Sequence, residues 1–445
     1  MAQEINTHRV IRFYLPLAAN AVLMTVETPV VIAGVSRLPD AEVQLAAYGV
    51  MTALSWWLVN VGAPLIHTGN ALGRTHSAFQ ILRNFSLATC AFATLLSAAI
   101  YFTPLYDLSV QGLLGASAPI AQAALPGTQL MLAVSFSIGY RRFYQGVLIR
   151  HGYTSIVGWC TLVRALVVIA MVWAGVSVGT LSGATMAGAA LSTSATIECA
   201  VVALFAEAIL RQRRGPRWEP GHTFSLTYSA VLRFFIPLAV MMLLTGTARP
   251  IITAAMTRLP EPVISLAAFP VAYGVFNLIY SPLFPLVQIV IALVKDSVSY
   301  AVVVRFTRAA CLLGAVALML TTLTPAAEVY LDVVLGVPPQ VRAAALPATR
   351  VLALYFLVQA FHNEYQGLLV AARRTLDPQI ASAVNVAVLA LVLTLGVVFG
   401  GVPGAVIGAA AFVIAFAAEA LTLRWRTASL RKSLAGSPAN AEPLA

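Results

Sequence analysis

Several arginines of this chain fall inside or at the rim of apolar segments, where a charged side chain needs a partner or a functional role. Arg141 and Arg142 lie nine and eight residues before Arg150, about 12–14 Å from it along a helix. Because neighbouring residues on a helix point about 100° apart, only one of the two can face squarely into a cavity. With Arg164 and Arg249 they supply planar guanidinium groups, which suit carboxylate and phosphate oxygens. This set predicts a binding site for an anion.

A polar stretch surrounds the first arginine pair, and a second polar stretch occurs 221 residues later. Residues 141–145 are Arg-Arg-Phe-Tyr-Gln, and residues 362–366 are His-Asn-Glu-Tyr-Gln. Polar residues at matching depth in two apolar helices are poorly explained by contact with lipid, so we interpret both stretches as cavity walls. Beside the four arginines, the predicted substrate-binding residues are therefore Tyr144, Gln145, His362, Asn363 and Gln366.

Two carboxylates, Glu27 and Glu364, are candidates for ion coupling. Glu27 lies near mid-membrane in the first apolar segment, at nearly the depth that Arg249 has in the seventh. Either Glu27 binds a coupling proton while Arg249 binds the anion, or the two form an ion pair that closes one gate. Arg164 has two interpretations as well: it lines the cavity, or it forms a buried pair, for which Glu27 is a candidate partner.

Patterns typical of catalysis and of metal binding are missing from the sequence. It has no metal-ligand spacing, no glycine-rich phosphate loop and no paired aspartate motif, and its six histidines are scattered singly. The four cysteines lie in apolar runs and are interpreted as small apolar fillers. We therefore expect no enzyme activity, no cofactor and no metal. The net charge of +11 is not taken to indicate a nucleic-acid partner.

The elements that carry these residues are long apolar helices. Hydrophobic residues make up 60% of the 445 residues and charged residues 10%, against about 25% charged residues in soluble proteins. Nineteen basic residues fall on one side of the helices and three on the other, which predicts cytoplasmic termini and a multi-pass protein of the cell (inner) membrane. The predicted all-α fold has twelve transmembrane helices at 10–36, 44–66, 80–103, 127–149, 154–178, 183–209, 231–257, 264–293, 302–324, 348–371, 378–400 and 404–424.

A repeat with a constant offset of 221 residues runs through the sequence. The segment 10–18 matches 231–239, and 37–39 matches 258–260. Six helices in each copy predict two parallel repeats with a binding cavity between two lobes, an arrangement typical of alternating-access transporters. The predicted domains are an N-lobe at 1–210, a basic cytoplasmic linker at 211–228 and a C-lobe at 229–445.

The same offset pairs prolines that can bend helices, and it pairs two carboxylates, one in the last helix of each copy. Because proline removes a helical hydrogen bond, the first and seventh helices are expected to bend at matching places. The two carboxylates lie near the cytoplasmic ends of the sixth and twelfth helices and are expected to cap neighbouring helices. The pairs are Pro16 with Pro237, Pro29 with Pro250, and Glu198 with Glu419.

Short motifs occur in order from residue 12 to residue 419: Arg12-Phe13-x-x-Pro16-Leu17, Ala47-Tyr48-Gly49, Gly146-x-Leu148-x-x-His151-x-Tyr153, Arg249-Pro250-Ile251, Leu331-Asp332-x-x-x-Gly336-Val337, Gly404-Ala405 and Glu419. In order and spacing they resemble the progressive ankylosis protein family, which belongs with the multidrug and toxin extrusion (MATE-like) flippases. The resemblance implies twelve helices in two six-helix lobes. It also implies export of small organic anions such as citrate, or of nucleotides and pyrophosphate. The long polar C-terminal tail of the animal members has no counterpart here, so regulation through a tail is not implied.

Together these observations predict a secondary active transporter in the lipid bilayer that exports a small anionic substrate, with H⁺ or Na⁺ as the coupling ion. Two other functions of the same fold remain open. One is multidrug extrusion by cation antiport, against which the four buried arginines and only two carboxylates argue. The other is flipping of a lipid-linked precursor, whose pyrophosphate would also require a basic cavity.

Overall fold

The computed structural model describes residues 7–211, 226–294, 297–372, 374 and 376–430, which form helices and contain no β-strand. Eleven helical stretches in this part of the chain are long and apolar enough to cross a membrane. Their surfaces expose large apolar side chains such as Trp173, Leu204 and Phe399. Because such a surface is stable in hydrocarbon and not in water, the chain is a multi-pass membrane protein.

Helices α1 to α10 belong to the first copy of the repeat. A 3-10 turn at Asn60–Gly62 separates α3 from α4, and a π-type turn at Leu108–Leu113 follows α6. The helices are α1 (Thr7–Thr25), α2 (Glu27–Ser36), α3 (Ala41–Val59), α4 (Leu65–Leu72), α5 (His76–Tyr101), α6 (Leu105–Asp107), α7 (Ala118–Leu130), α8 (Leu132–Arg150), α9 (Thr154–Val178) and α10 (Gly183–Arg211).

Helices α11 to α19 belong to the second copy. Here the 3-10 turn is Ser281–Leu283 and the π-type turn is Tyr330–Val334. The helices are α11 (Tyr228–Gly246), α12 (Ala248–Met256), α13 (Pro262–Tyr280), α14 (Leu286–Leu293), α15 (Ser297–Leu323), α16 (Pro325–Val329), α17 (Pro339–Ala371), α18 (Leu376–Phe399) and α19 (Gly404–Arg426).

The helix bounds of the two copies follow the 221-residue offset. α1 and α11 begin and end at equivalent residues, and so do α3 and α13 and, after the 3-10 turns, α4 and α14. Even the two non-glycine residues with a left-handed backbone, Asp40 (φ 54°) and Glu261 (φ 50°), are equivalent. The repeat that the sequence predicts is therefore confirmed in the secondary structure.

Prolines set the places where the first helix of each copy ends. A proline cannot donate a hydrogen bond to the carbonyl four residues earlier, and its ring collides with that carbonyl. The carbonyl four residues before Pro29 belongs to Thr25, where α1 ends, and the one before Pro250 belongs to Gly246, where α11 ends. The predicted matching breaks are present at these prolines, whereas α11 continues through Pro237 without interruption.

The fourth predicted transmembrane helix, at 127–149, differs most from the expectation. It falls on α7 and α8, which are divided at Met131. Because α8 carries Arg141, Arg142 and Arg150, it is too polar to stand among the eleven apolar stretches. The equivalent of the whole stretch in the second copy is the single 33-residue helix α17, so the stretch still occupies the place of one transmembrane helix.

Contacts between helices divide the chain into two compact units. The first unit contains Met1–Pro29 and Arg258–Ala445, so α1 packs with the second copy, and Tyr14 donates a hydrogen bond to the carbonyl of Pro282 (2.7 Å). The second unit contains Val30–Thr257, so α11 and α12 pack with the first copy. The first helix of each copy thus belongs to the compact unit that contains the rest of the other copy. The lobes at 1–210 and 229–445 stay a prediction, and most of the predicted linker lies outside the described residues.

Glycine allows α4 and α8 to approach each other closely. A methyl group on Gly146 of α8 would collide with the backbone carbonyl oxygen of Ile66 on α4. One on Gly69 of α4 would lie 2.7 Å from the carbonyl oxygen of Phe143. Small residues at such contacts are the usual means of close packing between membrane helices. The contact fixes the position of α8, which carries the arginine pair.

We expect Gly146→Ala to lower the stability of the protein, although alanine is the better helix former by about 1 kcal/mol. The added methyl group meets rigid backbone, and overpacking of this kind costs about 1–3 kcal/mol. The matched control is Gly112→Ala, where the nearest atom to an added methyl group is Leu108 Cδ1 at 3.4 Å. Thermal unfolding of the two variants in detergent measures the difference, and equal midpoints would contradict the role of Gly146.

Candidate functional site

A buried cluster of charges joins three helices of the second unit. Glu198 of α10 is fully buried and accepts hydrogen bonds from Arg141 of α8 and from Arg164 of α9, the latter at 3.4 Å between Nη1 and Oε2. Both arginines are also buried. Glu198, expected to cap neighbouring helices, instead binds two guanidinium groups. The buried pair foreseen as one interpretation of Arg164 exists, and its carboxylate is Glu198.

Arg142 is the arginine of this region that is left unpaired. Its side chain is half-buried, and no described residue forms a hydrogen bond or an ion pair with it. The charges that act on it belong to Arg141 and Arg164, both of the same sign. This fits the expectation that adjacent residues of α8 point in different directions: Arg141 turns to Glu198, and Arg142 does not. Glu198 is thus shared by Arg141 and Arg164, while Arg142 keeps its charge to itself among the described residues.

His67 of α4 lies within electrostatic range of Arg142 and was not foreseen as a site residue. Its side chain is exposed although it lies inside an apolar membrane stretch. A signal was available, because the residue 221 positions later is Gln288, also polar and exposed in a long apolar run. The imidazole of His67 can donate one hydrogen bond to an anion, so His67 is a further candidate donor in the region of Arg142.

The predicted residue Tyr144 lies in a separate polar cluster of the second unit. Its hydroxyl donates a hydrogen bond to Glu207 Oε1 (2.8 Å) and lies 3.1 Å from the hydroxyl of Tyr140. Glu207 also pairs with Arg83 at 3.6 Å. Tyr144 is therefore held by a carboxylate of α10, and its neighbour Gln145 is buried.

The polar stretch of α17, in the first unit, is largely occupied by its own partners. Glu364 is buried and binds Arg308 of α15 at 2.7 Å and the hydroxyl of Tyr300. Asn363 is buried and accepts a hydrogen bond from Gln359 (2.7 Å). Gln366, the remaining predicted residue of this stretch, is half-buried.

His362 of α17 faces a second carboxylate of the first unit. Its Nε2 lies 3.4 Å from Glu419 Oε1, and Glu419 accepts hydrogen bonds from Ser382 and Asn385, each at 2.9 Å. Glu419 thus binds side chains of α17 and α18 instead of acting only as a helix cap. By the 221-residue offset, Glu419, His362 and Asn385 are the equivalents of Glu198, Arg141 and Arg164. The same three positions hold one carboxylate and its partners in both copies.

The remaining predicted residues, Glu27 and Arg249, lie in different compact units. Glu27 is half-buried at the beginning of α2, and Arg249 is exposed near the beginning of α12. The ion pair suggested between them stays a prediction. Among the described residues, no group of three or more His, Cys, Asp or Glu side chains could hold a metal ion.

Solved structures with a similar fold include transporters of the MOP superfamily. The chain is similar to a multidrug resistance MATE family transporter of the MOP superfamily in an inward-facing conformation, with 15% identity over 97% of each chain and a TM-score of 0.63. An outward-facing conformation of such a transporter matches with 17% identity over 95% of this chain and 96% of the other, with a TM-score of 0.60.

The chain is also similar to a MOP superfamily transporter from Pyrococcus furiosus, with 15% identity and a TM-score of 0.60. The match covers 98% of this chain and 100% of the other. No protein-family model matches the chain, and no curated protein matches its sequence. At these identities the likeness establishes the fold alone. The protein has the fold of the MATE transporters of the MOP superfamily.

Proposed function

We propose that the protein is a secondary active transporter that exports small organic anions by alternating access. The observation that carries this proposal is Arg142, a half-buried guanidinium inside the membrane that no described residue neutralises. An arginine in such a place is costly unless it binds an acceptor, and an anionic cargo supplies one. His67, within electrostatic range of Arg142, is a second candidate donor.

The charge balance around Arg142 favours an anion over a cation. The charges that act on Arg142 belong to Arg141 and Arg164, and the positive charge of Arg142 itself is permanent because a guanidinium stays protonated. At about 4 Å, two unit charges interact by about 4 kcal/mol at an effective dielectric constant of about 20. A cationic drug would meet that energy as repulsion. Multidrug cation antiport is therefore less well supported.

One of the similar structures is also distinguished by the polarity of its binding pocket. The Pyrococcus furiosus transporter is described as having a binding pocket of reverse polarity that suggests a different function. The basic surroundings of Arg142 support an analogous divergence from multidrug transport in this chain. The resemblance to the progressive ankylosis family points to citrate-like carboxylates, nucleotides or pyrophosphate as the cargo. A lipid-linked precursor would present the same pyrophosphate chemistry on a lipid carrier.

Binding can be tested on the purified protein in detergent. A ligand that binds the folded state raises its stability by about 2.7 kcal/mol at 100 times its dissociation constant. We expect citrate, pyrophosphate or a nucleotide to raise the thermal unfolding midpoint. Sodium chloride at equal ionic strength controls for screening, and a lipophilic drug cation tests the rival function. Stabilisation by the drug cation and by none of the anions would contradict the proposal.

A further inference from the structure

The two equivalent carboxylate clusters differ in one chemical property, the ability to bind a proton. In the second unit, both partners of Glu198 with a charge are arginines, which remain protonated at every physiological pH. In the first unit, the position of Arg141 is taken by His362 and that of Arg164 by the neutral Asn385. Histidine changes its charge near physiological pH. Of the two clusters, only the one around Glu419 contains a partner, His362, whose charge can change.

Burial makes the charge of Glu419 sensitive to that change. Glu419 and His362 are 8% and 7% exposed, and both neutral partners of the carboxylate donate to it through single hydrogen bonds. A buried carboxylate without a cation is expensive in the membrane interior. When His362 takes up a proton, the pair becomes an ion pair at 3.4 Å and the cluster becomes neutral. A proton is thus the smallest ligand that removes the uncompensated charge.

The imidazole is positioned for this role. Phe416 packs on one side of the ring, with 4.4 Å between centroids, and neither ring nitrogen forms a hydrogen bond to a described residue. The Nε2 nitrogen can therefore turn a 3.4 Å approach into a charge-assisted hydrogen bond when the ring is protonated. Ser382 already donates to the same Oε1, and a carboxylate oxygen can accept a second hydrogen bond beside it.

The other carboxylates on the helices around His362 already have a cationic partner. Glu364, on the same helix, is held by Arg308 and by Tyr300, so it is a poor acceptor for a coupling proton. Asp377 of α18 pairs with Arg426 of α19 at 3.2 Å. Helix α14 contributes no titratable residue. The other titratable side chains on these helices are Tyr273 and Tyr280 of α13, Arg305 and Cys311 of α15, Arg342, Arg350, Tyr355 and Tyr365 of α17, and Arg424 of α19.

From this geometry we propose that His362 and Glu419 form a proton-binding site in the first unit, in which the imidazole takes up one proton and the carboxylate stabilises it. The role in ion coupling that the sequence suggested for Glu364 is thereby given to His362 and Glu419. The site deepens the proposed function by naming the coupling ion, and it rests on that function only for what the proton does in transport. Proton uptake itself requires no cargo.

The test uses the protein in proteoliposomes on a solid-supported membrane, without substrate. A jump from about pH 8 to about pH 6 spans the range in which histidine titrates. We expect a transient charge displacement in the wild type. His362→Arg copies the equivalent cluster of the second unit and should reduce the transient about tenfold or more. His76→Arg makes the same change at an exposed histidine of α5 and should keep it.

Folding of each variant is checked by size-exclusion chromatography and thermal unfolding. Should His362→Arg not fold, Glu419→Gln provides the second variant, because it keeps the shape and removes the charge that stabilises the proton. A wild-type transient that survives in the folded variant would overturn the site, and so would a wild type without a transient. Equal loss in His76→Arg, or an equal transient after a Na⁺ jump at constant pH, would overturn it as well. Failure of anion transport with an intact transient would contradict only the proposed function.

Discussion

Replacing Arg142 by glutamine is expected to abolish transport of the anionic cargo in reconstituted vesicles. The variant loses the guanidinium that no described residue neutralises, and with it a charge-assisted pair of hydrogen bonds. Hydrogen bonds to charged groups contribute about 1.5–3 kcal/mol, which corresponds to a loss of affinity of about 10- to 100-fold. Folding should be little affected, because no described residue loses an ion-pair partner.

Two further variants separate charge from geometry and from general effects. Arg142→Lys keeps the positive charge without the planar fork, so it should retain part of the activity. Arg233→Gln removes a charge from an exposed arginine of α11 and should transport at the wild-type rate. Wild-type transport by Arg142→Gln, or an equal loss in Arg233→Gln, would show that Arg142 does not bind the cargo.

The second large effect concerns stability: Glu198→Gln should strongly destabilise the protein. The substitution leaves Arg141 and Arg164 buried without their carboxylate. Removing one partner of a buried ion pair costs about 3–5 kcal/mol because the remaining charge is uncompensated. A marked drop of the thermal unfolding midpoint in detergent is the expected result.

The matched control for this prediction is the equivalent residue of the other copy. Glu419→Gln removes a carboxylate whose hydrogen-bond donors, Ser382 and Asn385, are neutral. An amide can keep part of these contacts, so the cost should be nearer to about 1 kcal/mol, the usual net contribution of a hydrogen bond. An equally large drop for Glu419→Gln and for Glu198→Gln would contradict the account, in which only Glu198 has partners with a permanent charge.

Much of the fold could be predicted from the sequence because its causes are local. Long apolar runs indicate helices, and prolines indicate where helices end. α1 and α11 end four residues before Pro29 and Pro250, at the residues whose carbonyls the proline rings would meet. The offset of 221 residues carried over to the helix bounds because equivalent local sequences form equivalent helices. The packing of α1 with the second copy could not be predicted, because the offset contains no information about which helices touch.

The pairings of the polar residues could not be predicted, and their role in binding stays a prediction. Arg141 and Arg142 were expected to point in different directions, and the structure shows which of them is paired. The partner of Arg141, Glu198, lies 57 residues away on α10, and spacing along one helix cannot reveal a contact between two helices. His67 was missed because a single histidine in an apolar run forms no motif, although its equivalent Gln288 is polar as well.

The central claim, an anion site built around Arg142, is tested most directly by a transport panel in proteoliposomes. Labelled citrate, pyrophosphate, a nucleotide and a lipophilic drug cation are offered to the wild type, to Arg142→Gln and to empty vesicles. The account predicts that the wild type transports at least one of the anions and not the cation, and that Arg142→Gln lowers anion transport to the level of empty vesicles. Transport of the cation at equal rates by both proteins, with no transport of any anion, would contradict it.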